Sequence, residues 1–136
     1  MNYESKCRSN YFQVKNEEDF EAWCRRVGVE FRHNRDDPTL YMVMNQDGGW
    51  PDHYSDTETG DPENDETEEL DFAKELSKHL ADDWVALLIS VGDEGMRYLT
   101  GYAEAVNSKG ETVFLSLEDI REKAKHLGKY LTEAQY

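Results

Sequence analysis

Hydrophobic and polar positions repeat with two periods along the chain, and each period predicts one type of element. The most regular stretch has helical spacing, with apolar residues at i, i+3, i+4 and i+7: Phe20, Trp23, Cys24 and Val27. Asn16 precedes this stripe as a helix N-cap, with Asp19 three residues further on, and Gly28 follows it as a C-terminal glycine. The pattern predicts a helix over residues 17–27.

Two later segments show the same helical spacing. The first is predicted to begin near Asn64 or Asp65 and carries Leu70, Ala73, Leu76 and Leu80 on one face. Acidic residues crowd its predicted first turn, where the helix dipole favours negative charge. The second follows a capping box formed by Ser116 and Asp119 and ends before Gly128. Its predicted buried stripe is Leu117, Ile120, Ala124 and Leu127.

Six runs have the length and composition of β-strands. They are residues 10–14, 29–33, 40–44, 84–91, 96–106 and 111–115. The run 40–44 (LYMVM) is continuously apolar, which predicts burial on both faces of a sheet. The sequence NSKG at 107–110 predicts a hairpin turn between the last two strands.

The predicted fold class is α+β, in the order β-α-β-β, acidic loop, α-β-β-β-α. Hairpin-connected strands with separate helices imply a mainly antiparallel sheet with about three helices on one face. We expect residues 1–136 to form a single domain with an acidic insertion at about 45–69. Neither half alone would bury much apolar surface, so both halves are predicted to share one sheet.

Charge changes this picture most. The chain has 30 acidic and 15 basic residues, a formal charge of −15. Residues 36–71 hold 13 of the acids and no Lys or Arg. Such a segment argues against direct binding to nucleic acid or anionic lipid, whose phosphates need basic side chains opposite them. It favours a partner with a basic protein surface, although a solvated acidic loop that only maintains solubility is the alternative.

No sequence motif points to catalysis, a metal or a cofactor. An EF-hand loop read from Asp61 has Glu66 where glycine is required, so only weak divalent-cation binding remains open. The four histidines do not pair with cysteines at zinc spacing. There is no phosphate-binding glycine loop and no nucleophile motif. The sequence therefore predicts that the protein is not an enzyme and uses no cofactor.

Cysteine usage and hydropathy indicate the compartment. Cys7 and Cys24 do not form a disulfide framework, and Cys24 is expected to be a small apolar or boundary residue. The first ten residues, MNYESKCRSN, lack the apolar region of a secretory signal. No apolar run approaches the roughly 20 residues that span a membrane. We expect a cytoplasmic protein with no membrane partner.

Two surface features are candidates for contacts with a partner. Trp50, in the sequence GGWP beside the acidic stretch, is either a core residue or an exposed interface anchor. The long strand at 96–106 could leave an edge open that pairs with a second copy, so a homodimer is possible.

In charge and size, the chain resembles the acidic DNA-mimic inhibitors carried by phages and plasmids, of the anti-restriction and anti-CRISPR kind. The resemblance is carried by the segment 36–71, and no residue motif transfers with it. It implies an inhibitor that occupies the basic nucleic-acid-binding surface of a host defence complex. The predicted partner-binding residues are Asp47, Trp50, Asp52, Asp56, Glu58, Asp61, Glu63, Asp65, Glu66, Glu68 and Glu69. The alternatives are a regulatory or immunity-type module that binds through its sheet edge, and a weak divalent-cation binder.

Overall fold

The chain folds as an antiparallel sheet with helices, which confirms the predicted α+β class and order. The computed structural model describes residues 4–46, 48–52, 70–93 and 99–131. Within them, the strands are β1 (Glu4–Ser9), β2 (Phe12–Gln13), β3 (Glu30–His33), β4 (Leu40–Asn45), β5 (Val85–Asp93), β6 (Leu99–Asn107) and β7 (Thr112–Ser116). The helices are α1 (Glu17–Val27), α2 (Phe72–Ser77) and α3 (Asp119–Ala124), and a 3₁₀ turn (Lys125–Leu127) follows α3.

One sheet combines strands from before and after the acidic segment. Its order runs β4-β1-β5-β6-β7; β2 continues from β1 along the same edge of β4, and β3 pairs with the other edge. All of these pairings are antiparallel. At the bend between β1 and β2, the Asn10 side chain accepts from Leu87 N–H and donates to Val85 C=O, so a side chain replaces part of the backbone ladder.

Strand β1 lies between β4 and β5, a position the sequence did not predict. Its residues are mostly polar or charged (ESKCRS), so it lacks the apolar signal of a strand. Cys7 and Ser9 face the core, whereas Lys6 and Arg8 share the other face with Val91 and Ile89, their partners on β5. The strand is therefore defined by its neighbours' hydrogen bonds rather than by its own composition.

Helix α1 matches its prediction at both ends and along its stripe. The Asn16 side chain accepts from Asp19 N–H at 3.0 Å, and Gly28 ends the helix at φ 82, a left-handed conformation that glycine adopts at little cost. The four stripe residues are buried in the core: Phe20, Trp23, Cys24 and Val27.

Helix α2 begins later than the sequence predicted. Leu70 and Asp71 are not helical, and the Asp71 side chain caps the helix by accepting from Lys74 N–H at 3.3 Å. A continuous helix from residue 64 or 65 to Leu80 is therefore wrong, because an N-cap residue has extended backbone and interrupts the helix. The acids predicted to crowd the first turn precede residue 70 and lie outside the described residues; the first turn of the described helix contains Glu75.

The core lies on one face of the sheet, under α1 and α2. Its largest fully buried side chains include Phe12, Phe20 and Tyr41. In β4, Tyr41, Met42 and Val43 are consecutively buried, which confirms that this apolar run is covered on both faces. Trp23 is buried, and Trp84 is half-buried against the core.

Helix α3 departs from the predicted layout. The predicted capping box forms only in part: Asp119 accepts from Ser116 N–H and Ser116 Oγ accepts from Glu118 N–H, but the helix begins at Asp119 and its N-cap residue, Glu118, makes no side-chain cap hydrogen bond. The stripe that follows is not buried, since Ile120 is 65% exposed and Leu127 78%. Leu117 reaches the face opposite the core, where a Cβ added to Gly101 would lie 2.7 Å from its Cδ1. The three helices therefore do not all cover one face.

Candidate functional site

Most of the predicted binding residues fall outside the part of the chain that the structure describes. These are Asp47, Asp56, Glu58, Asp61, Glu63, Asp65, Glu66, Glu68 and Glu69. Trp50 and Asp52 are described, together with the residues that receive the chain after the acidic segment. The geometry that can be examined is therefore the base of the acidic segment, which we define as residues 50–52 and 70–73.

The two ends of the acidic segment are hydrogen-bonded to each other. Leu70 N–H donates to Asp52 C=O at 2.8 Å, and the Leu70 side chain is buried in the core. The 17 residues between these two ends, 53–69, include eight acids and no Lys or Arg.

Three aromatic rings attach the base to the core. Trp50 stacks on Phe72 with ring centroids 5.0 Å apart, and Phe72 stacks on Trp23 at 5.2 Å. Trp23 belongs to the buried stripe of α1, and Phe72 opens α2. Trp50 is half-buried by this packing, which places part of its side chain against the core; its role as an interface anchor stays a prediction.

A cleft of about 540 Å³ opens beside the base, between it and strand β6. Trp50, Phe72 and Tyr102 supply aromatic walls, while Asp52, Asp71 and Glu104 supply carboxyl groups. Tyr102 in turn stacks on Phe114 at 5.8 Å. Carboxylates beside aromatic rings form an environment that suits an ammonium or guanidinium group, through ion pairing and cation–π contact.

The pKa of Glu104 shows how close this cleft is to the core. Burial raises the pKa of the Glu104 carboxyl above its ordinary value, and the negative charge of Asp71 raises it further. A positive group entering the cleft would stabilise the ionised form of Glu104 and offset this burial.

Sequence reasoning missed Asp71 and Glu104 as site residues. Asp71 belongs to the acidic stretch 36–71, but the sequence does not show that it approaches β6, because this depends on where α2 begins. Glu104 did leave a signal. It occupies the same face of β6 as the buried Val106, a position where strand alternation favours an apolar residue.

The remaining candidates give no second site. Cys7 and Cys24 are both buried free thiols, and burial raises the pKa of Cys7 to about 11 and that of Cys24 to about 12. Among the described residues, no group of three or more His, Cys, Asp or Glu side chains could hold a metal ion.

The hydropathy of the helices and a comparison of the chain with known proteins were both informative about the kinds of assignment that can be made. In the described parts of the chain, no helix has the length and apolar character needed to cross a membrane. Comparison of the chain with protein-family models, curated proteins and solved structures found no match. A functional assignment therefore depends on the geometry and charge of the chain itself.

Proposed function

We propose that this chain is a binding protein, not an enzyme, and that its acidic segment occupies a basic nucleic-acid-binding surface of another protein. In the cytoplasm, a host defence complex of the anti-CRISPR or anti-restriction target type would be such a partner. The observation that carries the proposal is the base of the acidic segment. It joins both ends of a strongly acidic stretch and anchors them to the core through the Trp50–Phe72–Trp23 stack.

The charge of the segment has the magnitude that mimicry requires. Duplex DNA carries about one negative charge per 1.7 Å of helix axis. Residues 52–71 include ten carboxylates and no Lys or Arg. A basic groove that holds phosphates could pair its Lys and Arg side chains with these carboxylates instead. Association would be steered by charge and weakened by salt.

The anchored base supports the proposal in a second way. A wholly free acidic chain loses conformational entropy when it is ordered by a partner, and that loss weakens binding. Here the ends are already joined, so part of this ordering is complete before binding. Asp71 and Glu104 line the cleft at the base together with Trp50, and one basic side chain of the partner could insert there.

The decisive experiment compares two variants with the same change in charge. One variant neutralises four acids of the segment: Asp56→Asn, Glu58→Gln, Asp61→Asn and Glu63→Gln. The control neutralises four exposed acids elsewhere: Glu17→Gln, Glu18→Gln, Asp82→Asn and Glu111→Gln. Each is used in an affinity pull-down from host lysate at low and high salt, followed by competition with duplex DNA for the retained protein.

The proposal predicts that wild type and control retain a nucleic-acid-binding protein at low salt, and that high salt or DNA releases it. The segment variant should lose this binding while keeping its circular dichroism spectrum. The proposal would be overturned if the segment variant retained as much of the partner protein as wild type does. So would equal losses in both variants, because net charge alone would then explain the interaction.

A second candidate function uses the edge of the sheet. Strand β7 is an edge strand with no charged residue in TVFLS, and Val113 and Phe114 are 72% and 60% exposed on its two faces. The opposite edge, β3, carries Glu30 and Arg32, charges that discourage strand pairing. A regulatory or immunity-type module that pairs through β7 predicts partner retention that is insensitive to salt. The weak-cation alternative predicts saturable heat on calcium titration.

A further inference from the structure

The face of the sheet opposite the core is apolar and largely uncovered over β5, β6 and β7. We define the open face as the side-chain positions on that side of the three strands. They are Val85, Leu87, Ile89, Val91 and Asp93 on β5, Leu99, Gly101, Ala103, Ala105 and Asn107 on β6, and Val113 and Leu115 on β7. The register places them on one side, because residues directly opposite each other in a sheet share a face.

The open face has the shape of a ridge beside a trough. On β5, Val85, Leu87, Ile89 and Val91 form a row of large side chains that are 41–51% exposed. On β6, Ala105 and Ala103 lie opposite Leu87 and Ile89, and their small side chains make a trough that ends at Gly101, over which Leu117 packs. Val113 and Leu115 of β7 form its far wall. The trough is two residues long and matches the central part of the ridge, Leu87 and Ile89, in its position along the strands.

We propose that the open face is a homodimer interface, in which the β5 ridge of each copy packs into the β6 trough of the other. A two-fold axis parallel to the strands and between β5 and β6 would bring both ridges into both troughs at once. Such an interface is isologous, the commonest arrangement in homodimers. The two sheets would stack face to face as in a β-sandwich, about 10 Å apart.

The area of the open face agrees with that of a dimer interface. With Leu117 over Gly101, its exposed aliphatic surface is on the order of 800 Å², about what one partner buries in a standard interface and more than the roughly 300–600 Å² of the largest apolar patch on a typical monomer.

We favour a second copy over residues 53–69 as the partner that covers the open face, because of the composition of those residues. Residues 53–69 contain one large apolar side chain, Tyr54, among eight acids. Asp93 is the one charged residue among the twelve positions of the open face, and Lys6 and Arg8 of β1 lie beside Val91 and Ile89 on the same side of the sheet, so the −15 charge of the chain is not concentrated where two copies would meet.

The dimer does not compete with the proposed function. The base of the acidic segment lies on the core side of the sheet, opposite the open face. Two copies packed through their open faces would carry the two bases on their outer sides. The dimer inference therefore stands or fails independently of the acidic-segment proposal.

The test is sedimentation equilibrium of the full chain over a range of concentrations, with three variants. Wild type should sediment at twice the 15.8 kDa monomer mass. Ile89→Asp places a charge on the ridge and should weaken dimerisation at least about 30-fold, the effect of losing an interface hot spot. Ala103→Arg fills the trough and should do the same. Leu127→Asp makes the matched change outside the open face, at a more exposed residue, and should leave the dimer intact.

Circular dichroism and thermal unfolding verify that each variant folds; if Ile89→Asp does not, Ala103→Arg decides. A monomeric wild type at every concentration would overturn the inference and would leave the open face to a different partner. It would also be overturned if Ile89→Asp and Ala103→Arg stayed dimeric. Assemblies larger than a dimer would contradict it too, since they indicate open-ended pairing through β7.

Discussion

The Trp50–Phe72 stack can be measured by a double-mutant cycle, which tests whether the base of the acidic segment is held to the core. Phe72 lies between two tryptophans, with centroids 5.0 Å from Trp50 and 5.2 Å from Trp23. Phe72→Leu keeps an apolar side chain but removes both ring pairs, each worth about 0.5–1.5 kcal/mol beyond buried area. We therefore expect a loss of about 1–3 kcal/mol in the free energy of unfolding.

The coupling between Phe72→Leu and Trp50→Leu isolates the outer pair. We expect about 1 kcal/mol from urea denaturation of wild type, both single variants and the double variant, followed by far-ultraviolet circular dichroism. The control cycle combines Trp50→Leu with Phe12→Leu. Phe12 is buried in the same core but its ring packs on Phe20.

The control cycle should be additive within about 0.5 kcal/mol, the usual result for residues that share no contact. A Trp50–Phe72 coupling no larger than that of the control would refute the stack as the anchor of the base. The support that an anchored base lends to the proposed function would then be lost.

Two further predictions concern how the stability of the fold depends on pH, through the side chains of Glu104 and His79. Burial and Asp71 raise the pKa of Glu104, so the folded protein binds this proton more tightly than the unfolded chain, and its carboxyl group costs stability as pH rises above 4.5. Glu104→Gln should therefore be more stable than wild type at neutral pH, with the difference shrinking toward pH 4.5 in urea titrations; a less stable variant at neutral pH would contradict this. Burial lowers the pKa of His79 below 6.5, so the unfolded chain takes up this proton first and stability falls as pH drops below 6.5. His79→Gln should lose less stability than wild type between neutral pH and about pH 5, and an equal loss would show that His79 is not responsible.

The candidate site was only partly predictable from sequence. The concentration of acids between residues 36 and 71 was visible directly, because charge is a property of composition. The sequence did not show the hydrogen bond between Leu70 N–H and Asp52 C=O, or the approach of Glu104 to Asp71. Both depend on where α2 begins and on which strand lies beside it, and these are set by contacts between residues far apart in the chain.

Local signals predicted the elements that depend on local physics. The N-cap at Asn16, the stripe of α1 and the glycine at 28 follow from hydrogen bonds and spacing within one helix. The turn at 107–110 also formed as predicted, with Gly110 at φ 83 and Asn107 Oδ1 accepting from Lys109 and Glu111 N–H. Each of these interactions joins residues within a few positions of one another, so a short window of sequence contains all of its determinants.

Tertiary structure alone decided the order of the strands and the role of each face. The polar segment Glu4–Ser9 became the strand between β4 and β5 because two neighbours supply its hydrogen bonds. The apolar run of β5 was evident in the sequence, but only the packing of α1 and α2 showed that Ala86 and Leu88 enter the core while Leu87 and Ile89 remain on the open face. Alternation predicts that a strand has two faces; which face is covered depends on the helices, which reach the sheet from distant parts of the chain.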